Sequence, residues 1–106
     1  MSRSFRRYEI LLPLQFNDGE PVPNDLIVDT LIEIELRFGA VSWETQQIHG
    51  FWEHEGRLFR DDLVRAFVDV PDTAKNRQFF RSFKKKLKTR FRQLDIWMTN
   101  HRINMV

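Results

Sequence analysis

The stretch Val41–Val70, VSWETQQIHGFWEHEGRLFRDDLVRAFVDV, decides the fold of this chain. Apolar and polar residues alternate at its start, and they alternate again at its end. This period of two is typical of strands whose two faces have different surroundings. Between them lies the polar segment 53–57, in which Gly56 favours a tight turn. The stretch therefore predicts one long β-hairpin.

The turn fixes the expected register of this hairpin. With Glu55 and Gly56 as its central residues, apolar side chains mostly face apolar ones, whereas a slip by one residue would mix the two faces. The pairs that follow from this turn are Trp43 with Val68, Glu44 with Phe67, Thr45 with Ala66, Gln46 with Arg65, Ile48 with Leu63 and His49 with Asp62.

Two helices and two further strands are predicted around the hairpin. Alternation over 8–16 indicates a first strand, and alternation over 94–99 indicates a last one, with Leu94 facing inward. Helical spacing indicates one helix from about residue 24 to 38, capped by Asn24 or Asp25 and followed by a left-handed Gly39. A second helix runs from a cap at residue 72 or 73 to about residue 92.

The order strand, helix, strand, strand, helix, strand predicts an α+β, ferredoxin-like βαββαβ fold. Two helices then cover one face of a four-stranded antiparallel sheet, with the first and third strands in its centre. The first helix buries a stripe of Ile27, Leu31, Ile34 and Phe38, widened by Val28. The expected core is centred on Trp43, Val68, Phe79, Phe83 and Phe91.

Composition indicates a globular protein. The chain has 106 residues, of which 42% are hydrophobic and 30% charged, so residues 1–106 are expected to form a single domain. Cysteine is absent, which excludes disulfides and thiolate chemistry. No apolar run reaches the length of a membrane span, and the basic start lacks the apolar region of a secretory signal. We therefore expect a cytoplasmic protein without a membrane partner.

The net charge of +2 hides a polarised distribution. Residues 1–8 carry three Arg and no acid, and residues 9–72 carry fourteen acids and four bases. Residues 73–106 carry ten bases and one acid. Such asymmetry is typical of proteins with a nucleic-acid partner, and it also arises when an acidic element packs beside a basic one.

Four short segments carry a resemblance to known proteins. They are Arg37–Gly39, Gly50–Trp52, Gly56–Asp61 and Arg90–Gln93. Together they resemble the landmarks of a family of small bacterial α+β proteins of unknown function. The resemblance implies a bacterial ferredoxin-like domain and implies no activity.

The sheet face that the helices leave uncovered, here called the open face, is the first candidate site. As a ligand site it would offer rings for stacking, Arg65 to hold an anion, and Glu9 or Glu44 as a base. As a dimer face it would bury apolar surface that is unfavourable in water. A third arrangement covers it with the C-terminal tail. By alternation this face carries Glu9, Leu11, Glu44, Gln46, Ile48, Leu63, Arg65, Phe67, Asp95 and Trp97.

The hairpin end is the second candidate. His49 is expected opposite Asp62, whose carboxylate would orient the imidazole for a metal or for proton transfer. The alternative is a solvated hairpin tip with an ordinary cross-strand pair, because spacing alone does not bring three or four metal ligands together. The metal-capable residues here are His49, Glu53, His54, Glu55, Asp61 and Asp62.

The second helix is strongly basic and is the third candidate. Its bases would bind the phosphates of a nucleic acid weakly and without sequence preference. Alternatively the helix packs beside the acidic first helix and pairs with Asp29, Glu33 and Glu35. The bases are Lys75, Arg77, Arg81, Lys84, Lys85, Lys86, Lys88, Arg90 and Arg92.

Together these features favour a binding or interaction module that forms a homodimer through the open face. A small enzyme or ligand-binding protein that uses the open face or the hairpin end is the first alternative. A weak nucleic-acid binder is the second. The sequence contains no motif that indicates a cofactor or a metal site.

Overall fold

Two helices lie on one face of an antiparallel sheet in the computed structural model, which describes residues 4–106. The predicted α+β, ferredoxin-like class is confirmed, although the sheet has five strands and not four. Residues 1–3 of the basic start lie outside the described range. The elements are β1 (Phe5–Pro13), α1 (Asn24–Phe38), β2 (Ser42–Trp43), β3 (Ile48–His54), β4 (Arg57–Pro71), α2 (Ala74–Arg90) and β5 (Met98–Ile103).

The strand order is β2-β4-β1-β5, with β3 also paired to β4. The third predicted strand is β4, and it lies in the centre beside β1, as expected. All strand pairs are antiparallel. The long β4 strand pairs with β1 over its later part, while the β3 hairpin extends beyond β1.

The hairpin has the predicted turn but two registers. Glu55 and Gly56 have φ values of 51° and 77°, the positive angles that a two-residue hairpin loop of type I′ requires. Between β3 and β4 the predicted pairing of His49 with Asp62 is confirmed. The predicted register of β2 is wrong, since Trp43 lies opposite Ala66 and not Val68.

An irregular segment explains this change of register. Residues 44–47 belong to no strand, so the chain leaves the ladder before β3 and rejoins it two residues out of step. Because the shift is an even number of residues, each side chain keeps its predicted face of the sheet. The shift places Ser42 opposite Phe67, and it places the backbone of Glu44 beside Arg65.

The core lies between the helices and the sheet. Phe83, Phe91 and Val68 are buried in it, as predicted, while Phe79 is only partly buried. The prediction of a buried Trp43 is wrong: this side chain is 54% exposed because β2 is a two-residue strand at the edge of the sheet. The buried cluster consists of Tyr8, Ile10, Leu12, Ile27, Leu31, Ile34, Ala66, Val68, Val70, Phe80, Phe83, Leu87, Phe91 and Ile96.

The helix ends follow the sequence signals in part. Gly39 adopts the predicted left-handed conformation with φ 83° after α1. The predicted cap of α1 by Asn24 or Asp25 is wrong, because the helix begins after Pro23 without a capping side chain. Thr73 caps α2 as predicted, and its hydroxyl accepts a 3.1 Å hydrogen bond from the Asn76 N–H.

The stripe that α1 buries is narrower than predicted. Ile27, Leu31 and Ile34 are buried, and Phe38 packs against the core. Val28 is 39% exposed, so the predicted widening of the stripe is wrong. None of the helices in residues 4–106 is long and apolar enough to cross a membrane.

Both terminal strands lie at other positions than the alternation predicts. β1 ends at Pro13. The Leu14 N–H still donates to the Asp62 carbonyl at 2.8 Å on the β4 side, so the N–H that Pro13 lacks is missing on the β5 side, where the Leu11 N–H bonds to Trp97.

β5 begins only at Met98, because the chain turns at Phe91 and Arg92 and must first travel from α2 to the sheet. Leu94 is therefore exposed and does not face inward. The segment 98–103 pairs with β1, so the tail does not fold across the open face up to that point.

Candidate functional site

A pocket of about 240 Å³ lies on the open face, at the end where the β3 hairpin extends beyond β1. Its walls come from β1, β3, β4 and the segment that precedes β5. The lining is mostly apolar and includes two tryptophans and two carboxylates. The lining residues are Leu11, Pro13, Gly50, Phe51, Trp52, Asp61, Leu63, Gln93, Asp95, Ile96 and Trp97.

The Trp52 side chain is held in place from two sides. Its indole N–H donates a 2.6 Å hydrogen bond to Asp61 on the neighbouring strand. Its ring stacks on Phe59, with 4.4 Å between the ring centroids and 16° between the ring planes. Phe59 is itself buried, so the stack rests on a fixed support. One wall of the pocket is therefore organised before any ligand arrives.

Trp97 forms a second, more open wall. Its backbone carbonyl accepts a 3.0 Å hydrogen bond from the Leu11 N–H, which fixes the position of its main chain. Its side chain is 66% exposed. A large ring in water on a fixed backbone is available for stacking against a flat ligand or a partner.

Gly50 provides the space between these walls. A β-carbon at this position would meet one neighbour, the Cδ1 atom of Leu63, at the ordinary contact distance of 3.8 Å. A larger side chain at Gly50 would therefore project into the pocket without a backbone clash. The glycine leaves the apolar floor at Leu63 accessible to a ligand.

The pocket has an acidic character. No Lys or Arg occurs among its lining residues, whereas Asp61 and Asp95 do. Asp95 is bonded through Oδ1 to the Lys84 amine at 3.1 Å and to the Ile96 N–H at 2.9 Å. Asp61 pairs only with the neutral indole of Trp52 among the described residues. The site is suited to a neutral or positively charged aromatic ligand and not to an anion.

The predicted open-face trio Glu9, Glu44 and Arg65 comes together, but outside the pocket. Arg65 donates through Nε to Glu44 at 3.0 Å and through an amino group to Glu9 at 3.3 Å. The bond with Glu44 raises the pKa of Arg65 above its ordinary value. Because both carboxylates pair with this guanidinium within the chain, Arg65 is not free to bind an anionic ligand.

Phe67, the predicted centre of the open face, is flanked by two guanidinium groups. The guanidinium carbon Cζ of Arg7 lies 4.7 Å from the centroid of the Phe67 ring, and that of Arg65 lies 5.6 Å from it. Arg7 is further held by Asp69, to which its Nε donates at 2.7 Å. Phe67 is therefore only partly exposed in a single chain.

Of the predicted open-face residues with polar or aromatic side chains, only Asp95 and Trp97 line the pocket. Sequence reasoning missed Trp52 as a site residue, and it placed Asp61 among the metal-capable residues of the hairpin end and not in a pocket of the open face. Two signals could have placed Trp52 and Asp61 in this pocket. The segment Gly50–Trp52 is one of the four that carry the family resemblance, and the predicted register places Gly50 opposite Asp61.

The hairpin end forms the predicted histidine–carboxylate pair. His49 Nδ1 lies 2.5 Å from Asp62 Oδ1, and the Gln15 amide donates to Asp62 Oδ2 at 3.2 Å. The bond with His49 holds the pKa of Asp62 below its usual range. Because neighbouring residues of a strand point to opposite faces, Asp62 lies across the sheet from Asp61. Within residues 4–106 no group of three His, Cys, Asp or Glu side chains is placed to hold a metal ion.

The basic helix pairs with the acidic helix at one point. Lys86 and Arg90 donate to the two oxygens of Glu33 at 2.7 and 3.1 Å. Burial opposes ionisation of Glu33, but these two bonds prevail and lower its pKa. The predicted pairs of Asp29 and Glu35 with α2 are absent from residues 4–106. Lys85 and Lys88 likewise form no ion pair with a described residue, so they remain available to an anionic partner.

Comparison with known proteins identifies the fold and no family. No protein-family model and no curated protein matches the chain. Its structure is similar to a phage SAM lyase in complex with S-methyl-5′-thioadenosine, with a TM-score of 0.69 and 15% sequence identity. That match covers 99% of this chain and 92% of the lyase. A phage SAM lyase in the apo state matches with a TM-score of 0.66 and 16% identity, over 96% of this chain and 86% of the other. At this identity the likeness concerns the fold alone.

Proposed function

We propose that the protein binds a small nucleoside with a positively charged group in the open-face pocket, and that S-adenosylmethionine (SAM) represents this ligand class. The observation that carries the proposal is the combination of Trp97, Trp52 and Asp61 in one pocket whose lining contains no cationic side chain.

The size of the pocket supports a ligand that is only partly enclosed. Its volume of about 240 Å³ is below the roughly 300–1,000 Å³ of pockets that bury most of a drug-sized ligand. One flat ring fits against Trp97, and the remainder of the ligand would extend over the open face. Stacking of a nucleobase on an aromatic side chain contributes about 1–3 kcal/mol.

The charge of the pocket supports a cationic group on the ligand. A cation over the face of a tryptophan is stabilised by about 0.5–1 kcal/mol at an exposed site. The carboxylate of Asp61, fixed beside Trp52, adds a negative charge at the pocket wall. SAM combines a purine with such a positive charge, which its sulfonium group carries.

The fold provides independent support for this choice of ligand. Two phage SAM lyases share the arrangement of strands and helices over nearly the whole chain, and one of them is in complex with S-methyl-5′-thioadenosine. The activity proposed here is accordingly cleavage of the bond between the SAM sulfur and the γ-carbon of its aminobutyrate part. The electron pair of that bond stays on sulfur, which leaves in neutral S-methyl-5′-thioadenosine, while the carboxylate of the same SAM molecule bonds to the γ-carbon and forms a lactone.

Calorimetric titration with SAM and with S-methyl-5′-thioadenosine tests the binding site. Trp97→Ala should weaken both ligands about tenfold, the equivalent of 1.4 kcal/mol. Trp43→Ala is the matched control, because Trp43 is 54% exposed and its strand position faces the opposite side of the sheet. Equal effects of the two variants, or no binding of either ligand at millimolar concentration, would contradict the proposal.

Asp61→Asn tests the role of charge in the same pocket. Asparagine keeps an oxygen that can accept the Trp52 N–H, but it removes the negative charge. Binding of the cationic SAM should weaken, while binding of the neutral S-methyl-5′-thioadenosine should stay unchanged. A parallel loss of both ligands would mean that Asp61 acts only by holding Trp52.

A homodimer through the open face is the second candidate. The observation that favours it is the exposure of Trp97, whose side chain is 66% exposed beside the same pocket. A second copy that covers this ring would remove apolar surface from water. It would also enclose the pocket, so the two candidates are compatible.

A further inference from the structure

A second cleft, of about 190 Å³, lies on the helix side of the sheet, between α2 and the strands β1 and β5. This cleft is separate from the open-face pocket, because it lies on the opposite face of the sheet. Its lining differs in character from that of the pocket, since it includes three cationic side chains. The lining residues are Tyr8, Arg77, Phe80, Arg81, Lys84, Met98 and Asn100.

The three cations converge because of their spacing on α2. Arg77, Arg81 and Lys84 are separated by four and three residues, which places them on one side of the helix. Arg77 is bonded to Asp72 at 2.7 Å, and Lys84 is bonded to Asp95 at 3.1 Å. No carboxylate within residues 4–106 pairs with Arg81. The cleft therefore retains positive charge after its internal pairs are formed.

Tyr8 forms the closed end of the cleft. It is 3% exposed, and its ring stacks on Phe80 with 3.8 Å between the centroids. Its hydroxyl makes no hydrogen bond to another described residue, and it is not among the buried unpaired polar atoms of residues 4–106, so its oxygen is open to the cleft. Burial raises the pKa of this hydroxyl, against the charges of Arg77 and Arg81, so it remains a hydrogen-bond donor at neutral pH.

Asn100 adds a second neutral donor. Its side-chain oxygen accepts a 2.8 Å hydrogen bond from Arg6, which leaves its amide nitrogen to donate. Arg6 is fixed in turn by Asp72, whose carboxylate also accepts from Arg77. The cleft thus presents hydrogen-bond donors of fixed position around an uncompensated positive charge.

We propose that this cleft binds the phosphate group of a small phosphate monoester. A phosphate monoester carries about 1.5–2 negative charges at neutral pH and has three strong acceptor oxygens. Arg81 can hold two of these oxygens at once, while Lys84 and the Tyr8 hydroxyl each supply a single donor. Tyr8 of β1 and Asn100 of β5 add neutral donors opposite the row of cations on α2, so the donors come from three elements around one cleft. This arrangement favours a single phosphate over a nucleic-acid backbone.

Arg81→Gln is the variant that tests the site. The wild-type protein is titrated by calorimetry at constant ionic strength with inorganic phosphate and with glycerol 3-phosphate. We expect saturable binding of one phosphate per chain, weakened at least tenfold by Arg81→Gln. The control is Lys85→Gln, which removes the same charge from an exposed position of the same helix outside the cleft. Equal losses in the two variants would overturn the proposal.

Two further measurements separate the sources of the anion. Tighter binding of glycerol 3-phosphate than of inorganic phosphate supports a monoester. Tighter binding of a short oligonucleotide, weakened equally by Arg81→Gln and Lys85→Gln, would overturn the proposed phosphate site. Tyr8→Phe removes only the hydroxyl and should weaken phosphate binding several-fold at an unchanged melting temperature. Unchanged phosphate affinity in Tyr8→Phe would contradict the role assigned to the Tyr8 hydroxyl.

Discussion

The indole N–H of Trp52 donates a 2.6 Å hydrogen bond to the carboxylate of Asp61 across the β3–β4 hairpin. A hydrogen bond to a charged group contributes about 1.5–3 kcal/mol, and less where water can replace it. We therefore expect Asp61→Ala and Trp52→Phe to show a coupling energy of about 1 kcal/mol in a double-mutant cycle of denaturant unfolding. Additive effects, within the roughly 0.3–0.5 kcal/mol typical of independent sites, would show that the bond is not formed in solution.

Phe83 is 3% exposed and packs with the other rings of α2 beneath the sheet. Truncating such a side chain leaves a cavity, so Phe83→Ala should lower the free energy of unfolding by about 3–5 kcal/mol. Phe51→Ala is the matched control, because Phe51 is 69% exposed, and its cost should stay within about 0.5 kcal/mol. A loss below about 1 kcal/mol in Phe83→Ala would mean that α2 packs in a different rotation.

The pair of His49 and Asp62 predicts a dependence of stability on pH. The bond with His49 lowers the pKa of Asp62 in the folded protein relative to its ordinary value. The unfolded chain then binds more protons in this range, so the contribution of Asp62 is present above its unfolded pKa and is lost as the pH falls through the folded pKa. Asp62→Asn should flatten the loss of stability on acidification, as measured by melting curves from neutral to acidic pH.

His49→Gln serves as the control for that experiment. It removes the imidazole, the main cause of the lowered pKa, while Gln15 can still donate to the carboxylate. The acid dependence should therefore shrink, but less than in Asp62→Asn. An identical pH profile in the wild-type protein and both variants would show that the pair does not stabilise the fold.

The open face predicts a homodimer with Trp97 and Phe67 near the interface centre. Burying one large apolar side chain contributes about 1.5–3 kcal/mol. Light scattering at high micromolar concentration should then give twice the chain mass of 12.9 kDa. Phe67→Glu and Trp97→Glu should both give folded monomers. Trp97→Glu is the clearer test of the interface, because Phe67 also contacts two guanidinium groups of its own chain. A monomeric wild-type protein would contradict the predicted dimer, and ligand binding would then be the function proposed for the open face.

Any affinity of α2 for nucleic acid should be weak and should fall steeply with salt. Binding through phosphates releases counterions, so the affinity depends on the salt concentration and not on the base sequence. Lys85 and Lys88 make no ion pair with a described residue, whereas Lys86 and Arg90 are already held by Glu33. Titration of single-stranded and duplex oligonucleotides at two salt concentrations checks this. Tight binding that survives high salt, or a strong base preference, would disprove it.

The alternation and helical spacing in the sequence determined the order of the elements, the central position of β1 and β4, and the turn at Glu55 and Gly56. These features depend on local patterns and on short-range geometry, which the residues themselves specify. The same patterns identified the apolar character of the open face and the His49–Asp62 pair, since both follow from one hairpin register.

Only the tertiary structure decided which of these residues form a site. The irregular segment 44–47 shifts β2 by two residues, which brings Glu44 to Arg65. The position of β2 at the edge of the sheet leaves Trp43 exposed. The pocket joins Trp52 of β3 to Trp97 of the segment before β5, and the phosphate cleft joins Tyr8 to α2. Such neighbours are distant in the sequence, and they come into contact only through the packing of strands and helices. Local periodicity contains no signal for this packing.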